Sequence, residues 1–267
     1  MRLRSRTTQQ LGDRVRDLHR LVDLGFPEFT KHVKQLDSSL ATTVLRQYPT
    51  ARAFAELTPK KLAKVTYGEQ HHKVGLELAT ALVEGARHSV GAHHGEAYRV
   101  QVRYATQDID TLRDRLREID QQIDSKLDDH EVGQLLTTID GIGKTTAARL
   151  VAELGDPAQF DDAKALCAFV GVVPGLKLSG KKRGGHAAIC PIGHAQLRAA
   201  LWMPTLVAVR VNPWLRKHYE RFLANGKPRK VALVACMHKL LLAVYSVAKN
   251  RRPFTPNLEP EIPGALA

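Results

Sequence analysis

The segment from Tyr98 to Leu127 constrains the fold most, because its apolar residues recur at alternating spacings of three and four. A heptad seam of this kind requires a long helix whose apolar edge packs against a partner. That partner is either another helix of the same chain, in a helical hairpin, or a second copy, in a dimerising coiled coil. The seam consists of Val102, Ala105, Ile109, Leu112, Leu116, Ile119 and Ile123.

In the rest of the chain, the sequence also predicts helices separated by glycine and proline. On the N-terminal side, apolar periodicity predicts helices over 2–24, about Phe29–Arg46, Ala51–Leu57 and Glu69–His88. On the C-terminal side it predicts helices over Lys144–Leu154, Ala163–Val170 (capped by Asp161 or Asp162), His194–Val211, Pro213–Leu223 and Pro228–Lys249.

We therefore predict a mainly α protein, in which a helical linker with a coiled-coil arm precedes an α-helical C-terminal domain. The predicted boundaries are 1–97 for the linker, 98–130 for the coiled coil, 131–252 for the C-terminal domain, and 253–267 for a proline-rich, disordered tail.

The run LLTTIDGIGKTTAARLVAELGD is typical of a helix-hairpin-helix motif. Gly141 and Gly143 make a tight turn that lets the backbone approach a phosphate, while the amides that begin the second helix point at the anion. Such a site, with Lys144 beside it, binds the nucleic-acid backbone and makes no base-specific contacts. A nucleotide-binding P-loop is excluded, because it needs a glycine where Thr138 stands.

Positive charge is concentrated in one part of the chain. The net charge is +13, and the window from Leu176 to Arg252 holds sixteen Lys and Arg residues against the single acid Glu220. A window so basic predicts binding of a polyanion, of which nucleic acid is the obvious example. Within it, the candidate phosphate contacts are Lys181, Lys182, Arg183, Arg198, Lys227, Arg229 and Lys230.

Other classes of protein are disfavoured. The three cysteines are far apart and form no CxxC pair, which argues against disulfides or a zinc site and for a reducing compartment. The start of the chain lacks a signal-peptide core, and no apolar run approaches the length of a membrane span. We expect a cytoplasmic protein with no metal site and no membrane contact, and we interpret the histidines of residues 71–130 as solvated groups on helix surfaces.

Ser179 lies in the glycine-rich, basic loop LSGKKRGG. The ordinary interpretation is a small turn residue among phosphate-binding cations. The alternative is a nucleophile that attacks a DNA phosphate while the surrounding cations offset the charge of the transition state. A serine hydroxyl needs an activating base or metal, and the nearest candidate bases are His186 and His194.

The run from Leu135 to Arg252 resembles the C-terminal transposase domain of the insertion sequence 110/116/902 family, the DEDD-type, RNA-guided transposases. The matching pieces occur in family order: IDGIGKTTAARLVAELGD, FDDAKALCAFVGVVPG, LSGKKRGG, GHAQLRAAL and NGKPRKVALVACMHKLL. The arginine-rich first helix and the heptads also resemble that family's linker.

This resemblance implies a DNA-binding transposase that cleaves and joins DNA strands through Ser179 as nucleophile. It further implies partners: DNA, a structured guide RNA and further copies of the protein. The family's Mg²⁺ ions bind four carboxylates of a RuvC-like N-terminal domain, which we expect this chain to lack, so no cofactor is assigned to the chain itself. The alternative function is a non-catalytic nucleic-acid-binding remnant of a transposase.

Overall fold

The computed structural model describes residues 1–173 and 192–256. Within these ranges the fold is helical apart from one small antiparallel hairpin, so the prediction of a mainly α protein is confirmed. The chain divides into two compact units, an N-terminal unit over Arg2–Asp120 and a C-terminal unit over Gln121–Ala267. This division falls inside the predicted coiled-coil segment 98–130.

The N-terminal unit contains shorter elements between two long helices. The helices are α1 (Arg2–Gly25), α2 (Phe29–His32), α3 (Ser39–Gln47), α4 (Ala51–Ala55), α5 (Pro59–Leu62), α6 (Leu76–Arg87) and α7 (Glu96–Asp128), of which the last turns, from Gln121 on, belong to the C-terminal unit; the hairpin pairs β1 (Thr66–Tyr67) with β2 (His72–Lys73). Its core is rich in aromatic rings, with Phe26, Phe29 and Phe54 in mutual contact at centroid distances of 5.1 to 5.9 Å.

The heptad seam lies on α7, and its first part finds its partner within the chain. Val102 and Ile109 are fully buried in the same core as Leu18 and Val22 of α1. The two helices run antiparallel, because Arg4 bonds Asp120 (2.5 Å), Arg14 lies 3.1 Å from Asp108, and the Tyr98 hydroxyl donates to the Leu21 carbonyl (2.6 Å). From Tyr98 to Asp120, α7 is therefore one arm of an intramolecular helical hairpin, in which the seam residues Val102, Ala105 and Ile109 are buried and Leu112, Leu116 and Ile119 are half-buried. Self-association through the same helix stays a prediction.

The C-terminal unit is built around its last helix. It comprises α8 (Glu131–Thr137), α9 (Lys144–Leu154), a 3-10 turn (Pro157–Gln159), α10 (Ala163–Val170), α11 (Ala195–Ala200), α12 (Trp202–Val211), α13 (Pro213–Ala224) and α14 (Arg229–Asn250). Helix α14 packs against α8, α10, α12 and α13, and ten of its residues are buried. By length and composition α14 could also cross a membrane, with a mean hydropathy of 1.9 over 18 residues, although no apolar run of that length was expected. In the fold 56% of that window is buried, as in the core helix of a globular domain.

Local signals account for most helix boundaries. Asp162, one of the two predicted caps, accepts the Ala165 amide (2.7 Å) at the start of α10, and Gly171 ends that helix in the left-handed conformation. Asn212 caps α13, whose first residue is Pro213. Ser38 caps α3 by accepting the Ala41 amide (3.2 Å).

Three predicted helices are wrong in extent. Phe29–Arg46 is divided into α2 and α3, because the chain becomes extended at Val33 and restarts at the Ser38 cap. Glu69–His88 begins with the hairpin, and α6 starts only after Gly75, whose φ of +83° is non-helical. His194–Val211 is divided at Leu201, because Pro204 in the first turn of α12 has no amide hydrogen to continue the ladder from α11.

The histidines also differ in part from their predicted places on helix surfaces. His72 lies in β2 and His71 in the hairpin turn, at a φ of +51°. His130 caps α8 by accepting the Gly133 amide through Nδ1 (3.1 Å).

Candidate nucleic-acid interface

The glycine turn of the predicted helix-hairpin-helix connects α8 to α9, which pack against each other. Ile139 and Ile142 of the turn are buried in the core of the C-terminal unit, and the Ile142 amide donates to the Ile139 carbonyl (2.9 Å). The two isoleucines thereby anchor the turn to the core, and the glycines between and after them take the conformations that the tight reversal requires.

The N-terminus of α9 is open for approach. Gly143 precedes it with no side-chain cap, and a Cβ built on Gly143 would meet nothing within 4 Å. The first amides of a helix have no acceptor within the helix and carry its positive dipole end. Lys144 is exposed, and its Nζ lies 3.1 Å from Asp128 Oδ1, which raises the pKa of Lys144. An anion at this end of α9 therefore meets a charged lysine, but it competes with Asp128 for that lysine.

Gly141 has a packing role that was not predicted for it. Its φ is +101°, and a Cβ there would lie 2.6 Å from the Cα of Ala208 in α12. The absence of a side chain at Gly141 lets the turn pack closely on α12. The need for glycine at this position comes from the protein's own packing, and a phosphate contact at Gly141 or Gly143 stays a prediction.

The residues that flank the glycine-rich loop are brought together. The His194 amide donates to the Phe169 carbonyl (2.9 Å), and Nη1 of Arg198 donates to the carbonyls of Val170 (3.1 Å) and Ile192 (3.4 Å). We call these contacts between Phe169–Gly171 and Ile192–Arg198 the clasp. These contacts bring the chain just before the segment 174–191 close to the chain just after it.

Both ring nitrogens of His194 have hydrogen-bond partners within the fold. Its Nδ1 accepts the Leu197 amide (3.1 Å) at the start of α11, and its Nε2 lies 3.1 Å from Oε2 of Glu153 in α9. Since Nδ1 is an acceptor, the ring proton is on Nε2 and is donated to the carboxylate. With both ring nitrogens engaged, His194 is not positioned as a free general base in this conformation.

Four of the predicted site residues, Ser179, Lys181, Lys182 and Arg183, lie outside the described residues, as does His186. The second predicted basic group lies at the junction of α13 and α14. There, the Gly226 amide donates to the Leu223 carbonyl (2.9 Å) and the Lys227 amide to the Phe222 carbonyl (3.1 Å), which is a Schellman turn. Lys227, Arg229 and Lys230 are all exposed, and the first turn of α14 contains no acid. Three cations thus adjoin the positive end of a helix dipole.

One cationic cluster was not predicted from the sequence. His218 on α13 accepts a hydrogen bond from Arg221 (3.0 Å) and contacts the Trp214 ring edge-on at a centroid distance of 4.9 Å. Burial lowers the pKa of His218, and the charges of Lys239, Arg221 and Lys217 lower it further. The signal that could have found the cluster is the i, i+4 spacing of Trp214, His218 and Phe222 among lysines and arginines.

The two cysteines of the described residues are packing residues. Cys167 and Cys236 are buried, and burial raises the pKa of Cys167 to about 12 and that of Cys236 to about 11. Neither thiol is a nucleophile at neutral pH. Over residues 1–173 and 192–256, no group of three or more His, Cys, Asp or Glu side chains is placed to hold a metal ion.

A match to a known protein family covers the part of the chain that contains the turn between α8 and α9 and the clasp. Residues 133–220 match the family described as "Transposase IS116/IS110/IS902 family". The chain is 37% identical over 121 residues to the pilin gene-inverting protein of Moraxella bovis, an alignment that covers 45% of this chain and 38% of that protein.

Two further relatives come from insertion sequences. The transposase for insertion sequence element IS1328 of Yersinia enterocolitica is 30% identical over 136 residues, covering 46% of this chain and 40% of the relative. The IS116 44.8 kDa protein of Streptomyces clavuligerus is 24% identical over 251 residues, covering 92% of this chain and 62% of the relative. The chain thus spans less than two thirds of the length of the relatives it matches.

Proposed function

This chain belongs, through residues 133–220, to the IS116/IS110/IS902 transposase family, and we propose that it binds DNA and takes part in strand cleavage and joining during movement of an insertion sequence. One observation carries the proposal: the matched residues contain both the turn between α8 and α9 and the clasp that flanks the segment of Ser179. The names of two relatives, a gene-inverting protein and a transposase, support a reaction on DNA.

The proposed interface has two parts formed by described residues. The exposed N-terminus of α9 at Gly143 and Lys144 binds the duplex backbone through amides and charge, without reading bases. Lys227, Arg229 and Lys230 add a second group of phosphate contacts. Lys181, Lys182 and Arg183 are proposed to neutralise phosphate next to the reacting serine. A structured guide RNA and a homo-oligomer remain proposed partners, and the cytoplasm the proposed location.

For the chemistry, we propose that the Ser179 hydroxyl attacks a DNA phosphorus atom. A serine–phosphate bond forms as a phosphorus–oxygen bond of the strand breaks, and the released strand keeps the oxygen as a hydroxyl. Attack of another strand's hydroxyl on the same phosphorus reverses the step and joins the strands. We propose that the proton of Ser179 passes to a group other than His194, whose two ring nitrogens are both hydrogen-bonded within the fold. We propose that a Mg²⁺ ion in the reaction is held by the carboxylates of the family's RuvC-like domain.

The experiment is a search for the covalent adduct. The chain is incubated with Mg²⁺ and a nicked DNA that would trap a serine–phosphate ester, alone and together with the RuvC-like domain of a family member. We expect no adduct from the chain alone, and an adduct in the mixture that Ser179→Ala abolishes while Ser246→Ala, on α14, does not.

An adduct that survives Ser179→Ala would exclude Ser179 as the nucleophile. Failure to form any adduct in the mixture, with DNA binding intact, would favour the alternative function, a non-catalytic nucleic-acid-binding remnant.

A further inference from the structure

Arg198 makes hydrogen bonds within the protein that a residue acting only as a phosphate contact would not need. It lies on α11, and its Nη1 donates to two carbonyls that approach from opposite sides of the segment 174–191, namely Val170 (3.1 Å) before it and Ile192 (3.4 Å) after it. The Val170 carbonyl belongs to the last turn of α10, where carbonyls lack partners within the helix and the dipole is negative. A guanidinium there satisfies an unpaired acceptor and stabilises the end of α10.

We propose that Arg198 is a positioning residue, which holds the two ends of the segment 174–191 together, rather than a ligand for a nucleic-acid phosphate. A lysine could not replace it fully, because an ammonium on a flexible stem lacks the planar, rigid arrangement of donors that the guanidinium provides.

Two glycines make the close approach of the ends possible. Gly193 has a φ of +108°, and a Cβ on it would lie 2.7 Å from the Cα and N of Gly171 and 2.9 Å from the Phe169 carbonyl oxygen. Gly171 has a φ of +80°, and a Cβ on it would collide with both the Arg198 guanidinium and the Ile192 carbonyl. The backbones at Gly171 and Gly193 are therefore in direct contact, and the Arg198 guanidinium packs against that contact.

The consequence for catalysis rests on the proposed function. A nucleophile reacts at useful rates only when it is held in a narrow range of positions, and misplacement by about 1 Å can cost on the order of 100-fold in rate. Ser179 is in the segment whose ends the clasp holds. Loosening the clasp should therefore lower the rate of strand cleavage without changing the affinity for DNA.

The test compares variants of the full chain that separate charge from position. Arg198→Met and Arg198→Lys remove or weaken the bonds to both carbonyls, and Gly193→Ala disrupts the clasp without changing any charge. Arg229→Met removes an exposed cation of the proposed interface and is the matched control. Three quantities are measured for each: hydrogen exchange at the His194 amide by NMR, affinity for a duplex DNA as a function of salt, and cleavage rate in the mixture with the RuvC-like domain.

For the clasp variants we expect exchange at His194 to accelerate by about tenfold or more, as for loss of a charge-assisted hydrogen bond. The slope of log affinity against log salt stays at the wild-type value. For Arg229→Met we expect the reverse: unchanged exchange, and a slope smaller by about 0.9, the value for one neutralised phosphate. In the cleavage reaction, Arg198→Lys and Gly193→Ala lower the rate and leave the half-saturating DNA concentration unchanged.

The proposal is overturned if Arg198→Met reduces the salt slope as Arg229→Met does, or if exchange at His194 stays at the wild-type rate in the folded variants. If Arg198→Met does not fold, Arg198→Lys and Gly193→Ala decide the question by the same criteria. Absence of DNA binding by the wild-type chain, or of cleavage in the mixture with the RuvC-like domain, would count against the proposed function alone, because the exchange measurement does not depend on DNA.

Discussion

Two glycines only two residues apart, Gly141 and Gly143, have different physical roles in the same turn. Gly141 has a φ of +101° and packs on Ala208, whereas Gly143 has an ordinary φ of −81° and open space around it. Sequence alone treats them as equivalent members of one motif. Substitutions should therefore separate stability from binding at this turn.

We expect Gly141→Ala to lower the free energy of unfolding of the C-terminal unit by about 2 kcal/mol or more, from backbone strain and overpacking against α12. Gly143→Ala should change stability much less and act mainly on DNA affinity, to a similar degree for unrelated DNA sequences. Urea unfolding and DNA titrations measure the two effects. Equal losses of stability in the two variants would contradict the packing role of Gly141.

His218 makes a pH-dependent contribution to stability. Burial and then the charges of Lys239, Arg221 and Lys217 lower its pKa from the ordinary value of 6.5. The unfolded chain therefore takes up a proton as the pH falls through 6.5, while the folded chain does so only at lower pH. Stability contributed by the neutral ring is complete above pH 6.5 and is lost as the pH falls through the lowered pKa.

Replacement by glutamine should remove this dependence. We expect the unfolding free energy of wild type to fall more steeply between pH 7 and pH 5 than that of His218→Gln, as measured by urea unfolding. His19→Gln, in α1 of the other unit, is the control and should keep the wild-type steepness. Parallel curves for wild type and His218→Gln would show that the ring is protonated equally easily in both states.

At the scale of elements, the central feature of the N-terminal unit is the antiparallel packing of α1 on α7. The seam predicts a partner helix but not its identity, and the contacts of Tyr98, Asp108 and Asp120 with α1 identify it for the first part of the seam. The exposed ion pairs add little stability, so burial of the seam residues supplies most of it.

Ile109 provides the test of this packing. It is fully buried, and Ile109→Ala should lower the unfolding free energy of the N-terminal unit by roughly 2–5 kcal/mol. Arg115→Ala, exposed on the same helix, should change it by no more than about 0.5 kcal/mol. Because the partner of Ile109 is in the same chain, the urea midpoint should not depend on protein concentration. A midpoint that rises with concentration would indicate that the seam pairs between chains at this position.

At the scale of the whole molecule, positive charge is unevenly distributed over the sequence. The window from Leu176 to Arg252 accounts for the whole positive excess, because the rest of the chain has slightly more acidic than basic residues, and the window belongs to the C-terminal unit. Long-range attraction of a polyanion follows from such a distribution, and it weakens with salt. Binding should therefore depend on where a cation lies and not only on the total charge.

Two triple variants with the same reduction in charge test this. Replacing Lys227, Arg229 and Lys230 by glutamine should weaken DNA binding at low salt and reduce the slope of log affinity against log salt, by about 0.9 for each phosphate that is no longer neutralised. Replacing the exposed Lys60, Lys61 and Lys64 of the N-terminal unit by glutamine should change the slope much less. Equal effects would mean that net charge alone, and no interface on the C-terminal unit, governs binding.

The sequence by itself determined the features that depend on neighbours along the chain. Helical periodicity predicted the class of fold, and Asp162, Gly171 and the Asn212–Pro213 pair marked helix ends, because caps and prolines act within one turn. Where a local break was overlooked, at the Ser38 cap, Gly75 and Pro204, the predicted helix was too long. The matched family motifs likewise lie in continuous stretches, so they were visible without a structure.

Only the tertiary structure decided which residues meet across long separations. The partner of the seam, the packing of Gly141 on Ala208, the bond of Arg198 to Val170 and the charge of Lys239 near His218 all join residues that are more than twenty positions apart in the chain. A sequence pattern reports that a residue is small, charged or apolar, but its role follows from what it contacts. Gly141 and Arg198 were both first interpreted as contacts to phosphate, and in the structure Gly141 packs on Ala208 while Arg198 bonds the carbonyls of Val170 and Ile192, because close packing brings two pieces of backbone together at each place.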